Sequence, residues 1–228
     1  DVHYSPQQRP AFLAFLQAIK EKKLQPTQLI LMGDIFDALF GGIPKSYEPN
    51  QEVITLVNEL SLEIEVLYLE GNHDFNLSKI FPHAMVVPLQ KQPIACRYED
   101  KKIFLAHGDF ASGMGYKIYT TLIRNTFVLG VLNLINSLGN NFILKKLDAY
   151  LSKKDDCKEI ENFEQIVVKR LDETMACDYF IEGHFHQNRH FLFKDYAYVN
   201  LGAFACNQRY FVVKSSQEVE LLEEKLFS

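Results

Sequence analysis

Five short clusters of Asp, Asn and His constrain what this chain can fold into more than any other feature. They are Asp1-Val2-His3, Gly33-Asp34-Ile35-Phe36-Asp37, Gly71-Asn72-His73-Asp74, Ala106-His107-Gly108-Asp109 and Gly183-His184-Phe185-His186. The last four each close a short apolar run, at 29–32, 64–69, 102–106 and 178–182, of the kind that forms a buried strand. Helical patterns lie before the first of these runs, at 10–23 with Pro10 near the start, and between the first two, at 51–61. Strand alternating with helix predicts an α/β fold. In open α/β sheets, sites assemble at the carboxyl ends of strands, which is where these clusters fall. After residue 190 the pattern turns to short strands, predicted at 196–200, 208–214 and 219–224.

Composition narrows the rest. A chain of 228 residues, 47% hydrophobic, can bury a substantial core, and it is read as a single domain over 1–228. A net charge of −5 argues against a dedicated nucleic-acid binder, because a phosphate backbone rewards a basic footprint. No run reaches the roughly 18 apolar residues that would span a bilayer. Cys96, Cys157, Cys177 and Cys206 are scattered without a C-x-x-C pair, so they are expected to be small buried hydrophobes in a reducing, cytoplasmic compartment. The first residue is Asp, and it already belongs to a cluster. An apolar strand of about five to eight residues is therefore expected upstream.

Between about 110 and 176 the texture changes. Residues 116–154 are helical in pattern but apolar on more than one face, and they are basic. From 117 to 154, Lys117, Arg124, Lys145, Lys146, Lys153 and Lys154 face Asp148 alone. Glycines at 113, 115, 130 and 139 would each cost a plain helix about 1 kcal/mol relative to Ala. The segment reads as a helical insertion, a lid over whatever the clusters build. Simple packing on the core is the alternative.

The clusters define a chemistry. Carboxylates, imidazoles and one amide oxygen, without a thiolate, suit Mn, Fe or Zn. In Asp-x-His and His-x-His, residues i and i+2 of an extended segment reach one ion together. Seven candidates, Asp1, His3, Asp34, Asn72, His107, His184 and His186, exceed what one ion needs. They suit two ions sharing a carboxylate, for which Asp34 is the natural choice. Such a site attracts a phosphate ester, and a metal-held hydroxide can attack phosphorus in line.

In their order, D-x-H, G-D-x-x-D, G-N-H-D, H and G-H-x-H, the clusters resemble the signature of the calcineurin-like metallophosphoesterases. The resemblance implies a four-layer αββα sandwich with a dinuclear site at the edge of its two sheets. It implies one ion at Asp1, His3, Asp34 and His186, and the other at Asp34, Asn72, His107 and His184. It also implies that His73 is not a ligand but stabilises the transition state or protonates the leaving oxygen, with Asp37 orienting it.

Within the family the chain is similar to the branch that cleaves UDP-2,3-diacylglucosamine in lipid A synthesis. The length, the helical insertion after H-G-D and the segment Val199-Asn200-Leu201-Gly202-Ala203-Phe204 carry that likeness. It implies hydrolysis of the pyrophosphate to UMP and 2,3-diacylglucosamine 1-phosphate, with Mn2+ as the expected metal. Well-known members of that branch carry Arg where this chain has His73. The insertion would then offer an apolar groove for acyl chains and rest on the anionic cytoplasmic face of the inner membrane. Arg124, Lys117, Tyr116 and Arg9 are candidate phosphate or uridine contacts, weighed against being solvated surface residues. The alternatives are a soluble phosphodiesterase or phosphatase acting on nucleotides or phosphoproteins, and a binding module on a dead scaffold, which the full ligand set argues against.

Overall fold

Strands that are apolar on both faces must be covered on both, and two sheets packed face to face with helices outside achieve this. The computed structural model describes residues 1–109, 113–171, 175–214 and 220–225. In chain order the elements begin with α1 (Arg9–Lys20), β1 (Gln28–Leu31), β2 (Leu39–Phe40), α2 (Gln51–Leu60), β3 (Glu65–Leu69), β4 (Asp74–Phe75) and β5 (Met85–Val87). There follow β6 (Ile94–Tyr98), β7 (Lys101–Ala106), α3 (Met114–Arg124), α4 (Thr126–Leu138), α5 (Phe142–Leu151) and α6 (Phe163–Arg170). The chain continues through β8 (Tyr179–Glu182), β9 (Arg189–Leu192), β10 (Ala197–Asn200), α7 (Phe204–Asn207), β11 (Arg209–Lys214) and β12 (Glu220–Lys225). Residues 110–112 and 172–174 of the expected insertion, and Val219 of the last expected strand, lie outside the described residues.

One sheet is parallel, ordered β1-β3-β5; the other has five strands, ordered β6-β7-β8-β10-β9. The second is parallel through β7, β8 and β10 and antiparallel at both edges. Alternation along each strand sorts the side chains into three layers of core. Val66 and Tyr68 of β3 face α1 and α2, packing with Phe12, Leu16, Val53 and Val57. Leu67 and Leu69 face the other sheet, meeting Ile103 and Leu105 of β7 and Ile181 of β8. Ala106, Phe180 and Tyr198 face outward onto Phe163 and Val167 of α6. The order helix, sheet, sheet, helix is the expected αββα sandwich.

Helices α3 to α5 stand apart from these layers. Ile123, Leu129, Leu144 and Leu147 pack on Phe40 and Phe75, at the short parallel pair β2–β4. Helix α6, at the far end of the expected insertion, covers the second sheet instead. Much of α3–α5 is left bare: Phe127 is 78% exposed and Leu138 81%, with Met114, Ile118, Leu122 and Leu134 also exposed. Among the described residues no single helix is long and apolar enough to cross a bilayer. Helices α3 and α4 together are, by length and composition, but they meet at a 69° bend.

The cysteines require a correction. Cys177 is buried and Cys96 half-buried, but Cys157 is exposed and forms a disulfide with Cys206, their Cα atoms 5.6 Å apart. Spacing in the chain could not show it, because 49 residues separate the partners and the fold alone brings them together.

Candidate metal centre

The first sheet delivers its ligands from adjacent parallel strands, so the residues just past β1 and β3 emerge side by side. The segment before Ser5 joins them: the amides of Val2 and His3 donate to the Asp34 carbonyl, and that of Tyr4 donates to Ile35. Val2 and Tyr4 are buried in the core beneath α1, which turns Asp1 and His3 to the opposite side. The second sheet supplies His107 after β7 and His184 and His186 after β8. Phe185, between the two histidines, packs against Phe163 of α6 at a centroid distance of 5.4 Å. The i, i+2 reading holds for Asp1 and His3, which share one cluster of ligand atoms, but not for His184 and His186, which take left-handed backbone instead of an extended segment and fall in different clusters.

Close approach explains the glycines that precede the ligands. A Cβ at Gly71 would overlap the Asp34 carboxylate, and one at Gly183 would overlap that of Asp1. Backbone conformation marks the same place. His3, Asp34, His184 and His186 all have φ between 48° and 58°. Non-glycine residues seldom adopt this region, and such strain collects at functional sites.

Two clusters of ligand atoms result: Asp1, His3 and His186 in one, and Asp34, His107 and His184 in the other, each with its atoms within 4.8 Å of one another. In the first, Asp1 Oδ1, His3 Nε2 and His186 Nε2 are buried and make no hydrogen bond. Leaving three such atoms unsatisfied would cost about 1–3 kcal/mol each, so the donor set fits a cation at their centre. In the second, His107 Nε2 lies 3.3 Å from Asp34 Oδ2, 3.4 Å from Asn72 Oδ1 and 3.2 Å from His184 Nδ1. Four ligand atoms from four loops therefore converge there. Asp34 Oδ1 accepts from the His73 amide at 2.8 Å, which leaves Oδ2 facing the cluster.

Electrostatics favour the same use for Asp34, His184 and His186. Burial would push the Asp34 carboxyl up, but the imidazoles of His107, His73 and His3 hold it well below the usual range. Burial takes His186 down to about 4 and His184 well below its ordinary value, which keeps both rings neutral with lone pairs to offer. Burial opposes a charge on His107 too, but the Asp34 carboxylate outweighs it and raises this ring to about 9. Each ligand ring is held by its other nitrogen or its surroundings. His107 Nδ1–H donates to the Met32 carbonyl at 2.9 Å, and His186 Nδ1–H to Asp156 at 2.6 Å.

His73 and Asp37 are both present, with a different connection from the one expected. His73 Nδ1–H donates to the backbone carbonyl of Asp37 at 3.0 Å, while its Nε2 lies 4.0 Å from Asp34 Oδ2. The Asp37 carboxylate turns instead to His3, with Oδ1 3.3 Å from Nδ1.

The candidate substrate contacts divide. Arg124 is not a solvated surface residue. Its guanidinium is buried over the Phe75 ring, donates to the Gly71 carbonyl at 2.8 Å and lies 4.0 Å from Asp109. The Tyr116 hydroxyl donates to Asp109 Oδ2 at 2.9 Å. Arg9 lies over the Tyr4 ring and donates to the Pro49 carbonyl. Lys117 is exposed on α3.

Several supporting residues escaped the sequence reading. Asp74 is fully buried and accepts from the amides of Asp34, Ile35 and Gly71 and from the Tyr68 hydroxyl. Burial and the neighbouring Asp34 carboxylate push it up to about 6. Gln92 accepts from the His107 amide and donates to the Glu70 carbonyl. Arg170 of α6 binds both the Glu182 carboxylate and the Gly108 carbonyl, and so ties the last two motifs together. Asp74 was legible as the last letter of its motif; Gln92 and Arg170 carry no local signal.

A family model described as calcineurin-like phosphoesterase matches residues 1–188. Curated relatives bear the name UDP-2,3-diacylglucosamine hydrolase. The one from Psychromonas ingrahamii is 27% identical over 200 residues, covering 82% of this chain and 78% of its own. That of Pseudomonas fluorescens is 24% identical over 193 residues, covering 82% and 77%. That of Photorhabdus laumondii is 22% identical over 194 residues, covering 82% and 80%.

Proposed function

This chain belongs to the calcineurin-like phosphoesterase family and is a metal-dependent phosphoester or pyrophosphate hydrolase, and from that premise we propose that it cleaves UDP-2,3-diacylglucosamine to UMP and 2,3-diacylglucosamine 1-phosphate. The observation that carries the substrate is the seating of the bare apolar helices on the metal loops themselves. Helix α3 reaches Asp109 through Tyr116 and Gly71 through Arg124, so its exposed apolar residues rise beside the phosphate site. An apolar surface at that place suits a substrate with acyl chains next to its pyrophosphate. The names of the relatives favour the same substrate.

Two divalent ions, with manganese expected, would be held by Asp1, His3 and His186 and by Asn72, His107 and His184, with Asp34 between; when bound they supply Lewis acidity and a nucleophile active at neutral pH. The chain's own residues do the rest. His73, fixed through Nδ1 by the Asp37 carbonyl, presents Nε2 to the phosphoryl group, where it stabilises charge or gives a proton to the departing oxygen. Asp37 orients His3 with its carboxylate, so one residue serves a ligand and the acid together. Lys117, exposed on α3, would meet the phosphates. The exposed Lys145, Lys146 and Lys153 add attraction to an anionic cytoplasmic leaflet, each by about 1 kcal/mol close to the surface.

The test compares two substrates that share a nucleotide pyrophosphate. With manganese, UMP release from the diacylated sugar nucleotide should exceed that from UDP-N-acetylglucosamine by orders of magnitude. Equal rates would sink the lipid assignment and favour a general nucleotide phosphodiesterase, a reading to which His73 in place of Arg lends some support.

A further inference from the structure

Residues 152–162 leave α5 and return to α6 without regular structure, and they pass directly behind the first ligand cluster. The Asp156 carbonyl accepts the Nδ1 proton of His186, and its carboxylate lies 3.9 Å from His3 Nδ1. On the other flank, the first amide of α7, from Phe204, donates to the carbonyl of Asp1 at 2.9 Å. Cys157 follows Asp156, and Cys206 belongs to α7; the disulfide joins them. One covalent bond therefore ties the backbone that orients His186 to the backbone that holds Asp1.

Among the described residues the segment has few other anchors, the chief one being the Ile160 side chain, which packs on the core beneath α6. The Ile160 amide donates to Gln187, whose own amide donates to the Lys158 carbonyl, and the Lys154–Asp156 ion pair lies within the segment itself. The second cluster is supported differently. His107 is fixed by Met32 and Gln92, both part of the buried sheet edge and independent of the disulfide. Cys157 is exposed, so a thiol can reach the bond.

We propose that the Cys157–Cys206 disulfide is a redox-sensitive clasp on the metal site of Asp1, His3 and His186, and that opening it loosens that ion while leaving the other in place. A dithiol of the kind cells use for exchange would open it. One thiolate attacks a sulfur and breaks the S–S bond; the second resolves the mixed disulfide. Two electrons and two protons pass to the cysteines, and the dithiol becomes a disulfide. Released, the Asp156 carbonyl no longer fixes the His186 ring, and losing such a partner typically weakens metal binding by about 10–100-fold.

The inference rests on the reading of a two-ion centre but not on the substrate. The test uses manganese-loaded full-length chain, with and without a phosphine reductant, and follows metal loss to a chelator. Non-reducing peptide mapping should find the Cys157–Cys206 cross-link in untreated protein. After reduction, about one of the two ions should leave roughly tenfold faster or more, and reoxidation should restore its retention. The double variant C157S/C206S should retain metal like the reduced protein and ignore the phosphine. Equal retention of both ions with thiols confirmed free, a double variant that still responds, or untreated protein without the cross-link would each overturn the clasp. Should the variant fail to fold, the wild-type comparison decides alone. Protein that binds no ion in either form would instead contradict the metal centre, and the clasp with it.

Discussion

Asp34 is engaged from every side: its carbonyl receives Val2 and His3, Oδ1 receives the His73 amide, and Oδ2 faces His107. Asp34→Ala should therefore cost both ions, which metal analysis of the purified variant would show as a fall from two per chain to near none. His73 meets the His3 ring edge to face at a centroid distance of 5.1 Å, but its own hydrogen bond goes to the Asp37 carbonyl. His73→Ala should lower turnover by about 10²–10⁴-fold while metal content stays at two; a parallel loss of metal would assign His73 to the centre itself. Arg124 works by position. Arg124→Ala removes a charge-assisted hydrogen bond to Gly71 and the stack on Phe75, and should destabilise the fold by about 2 kcal/mol. Arg124→Lys should recover only part of this, because an ammonium cannot reproduce the planar fork. Denaturant unfolding of both variants measures the difference. At this scale the residues that converge were legible as candidate ligands because chemistry limits which residue types can hold hard cations. What could not be read was burial: Arg124, on a basic helix, gives no local sign that it points inward. Asp37 could be placed near His73, but which of its oxygens faces which histidine depends on a turn that only the fold defines.

Among the elements, those with a clear period were legible. Helices α1 and α2 and strands β1, β3, β7, β8 and β10 fall within a residue or a few of the expected ranges, since each buries a strict stripe or both faces. Edge strands β6 and β9 were not read. In β6, half-buried Ile94, Cys96 and Tyr98 alternate with exposed Ala95 and Arg97, and an edge in contact with solvent blurs the pattern. The two-residue pair β2–β4 is too short to show a period at all. The role of the insertion is tested at this scale. Leu134 and Leu138 are exposed on α4, so replacing both with Ser should leave thermal stability within about 0.5 kcal/mol of wild type. The same change should reduce hydrolysis of the diacylated substrate, and sedimentation with anionic vesicles, without slowing a small aryl phosphodiester. An equal loss on the small substrate would mean that α4 serves the metal site and not the lipid.

The whole molecule is two sheets whose strand ends meet at one edge, where both contribute to the candidate metal centre. Asp34 and Asn72 come from the first sheet, and His107, His184 and His186 from the second. Metal removal should therefore be felt by the entire fold. With free metal at 100 times its Kd, each site stabilises by about 2.7 kcal/mol, so losing one ion should lower the thermal midpoint by roughly 5–10 °C and chelating both by roughly 10–20 °C. The seven residues should converge on two ions, which anomalous diffraction from manganese-loaded crystals can show. Two peaks should appear, one among Asp1, His3 and His186 and the other among Asn72, His107 and His184, with Asp34 reaching both. A single peak, or peaks away from these residues, would contradict it.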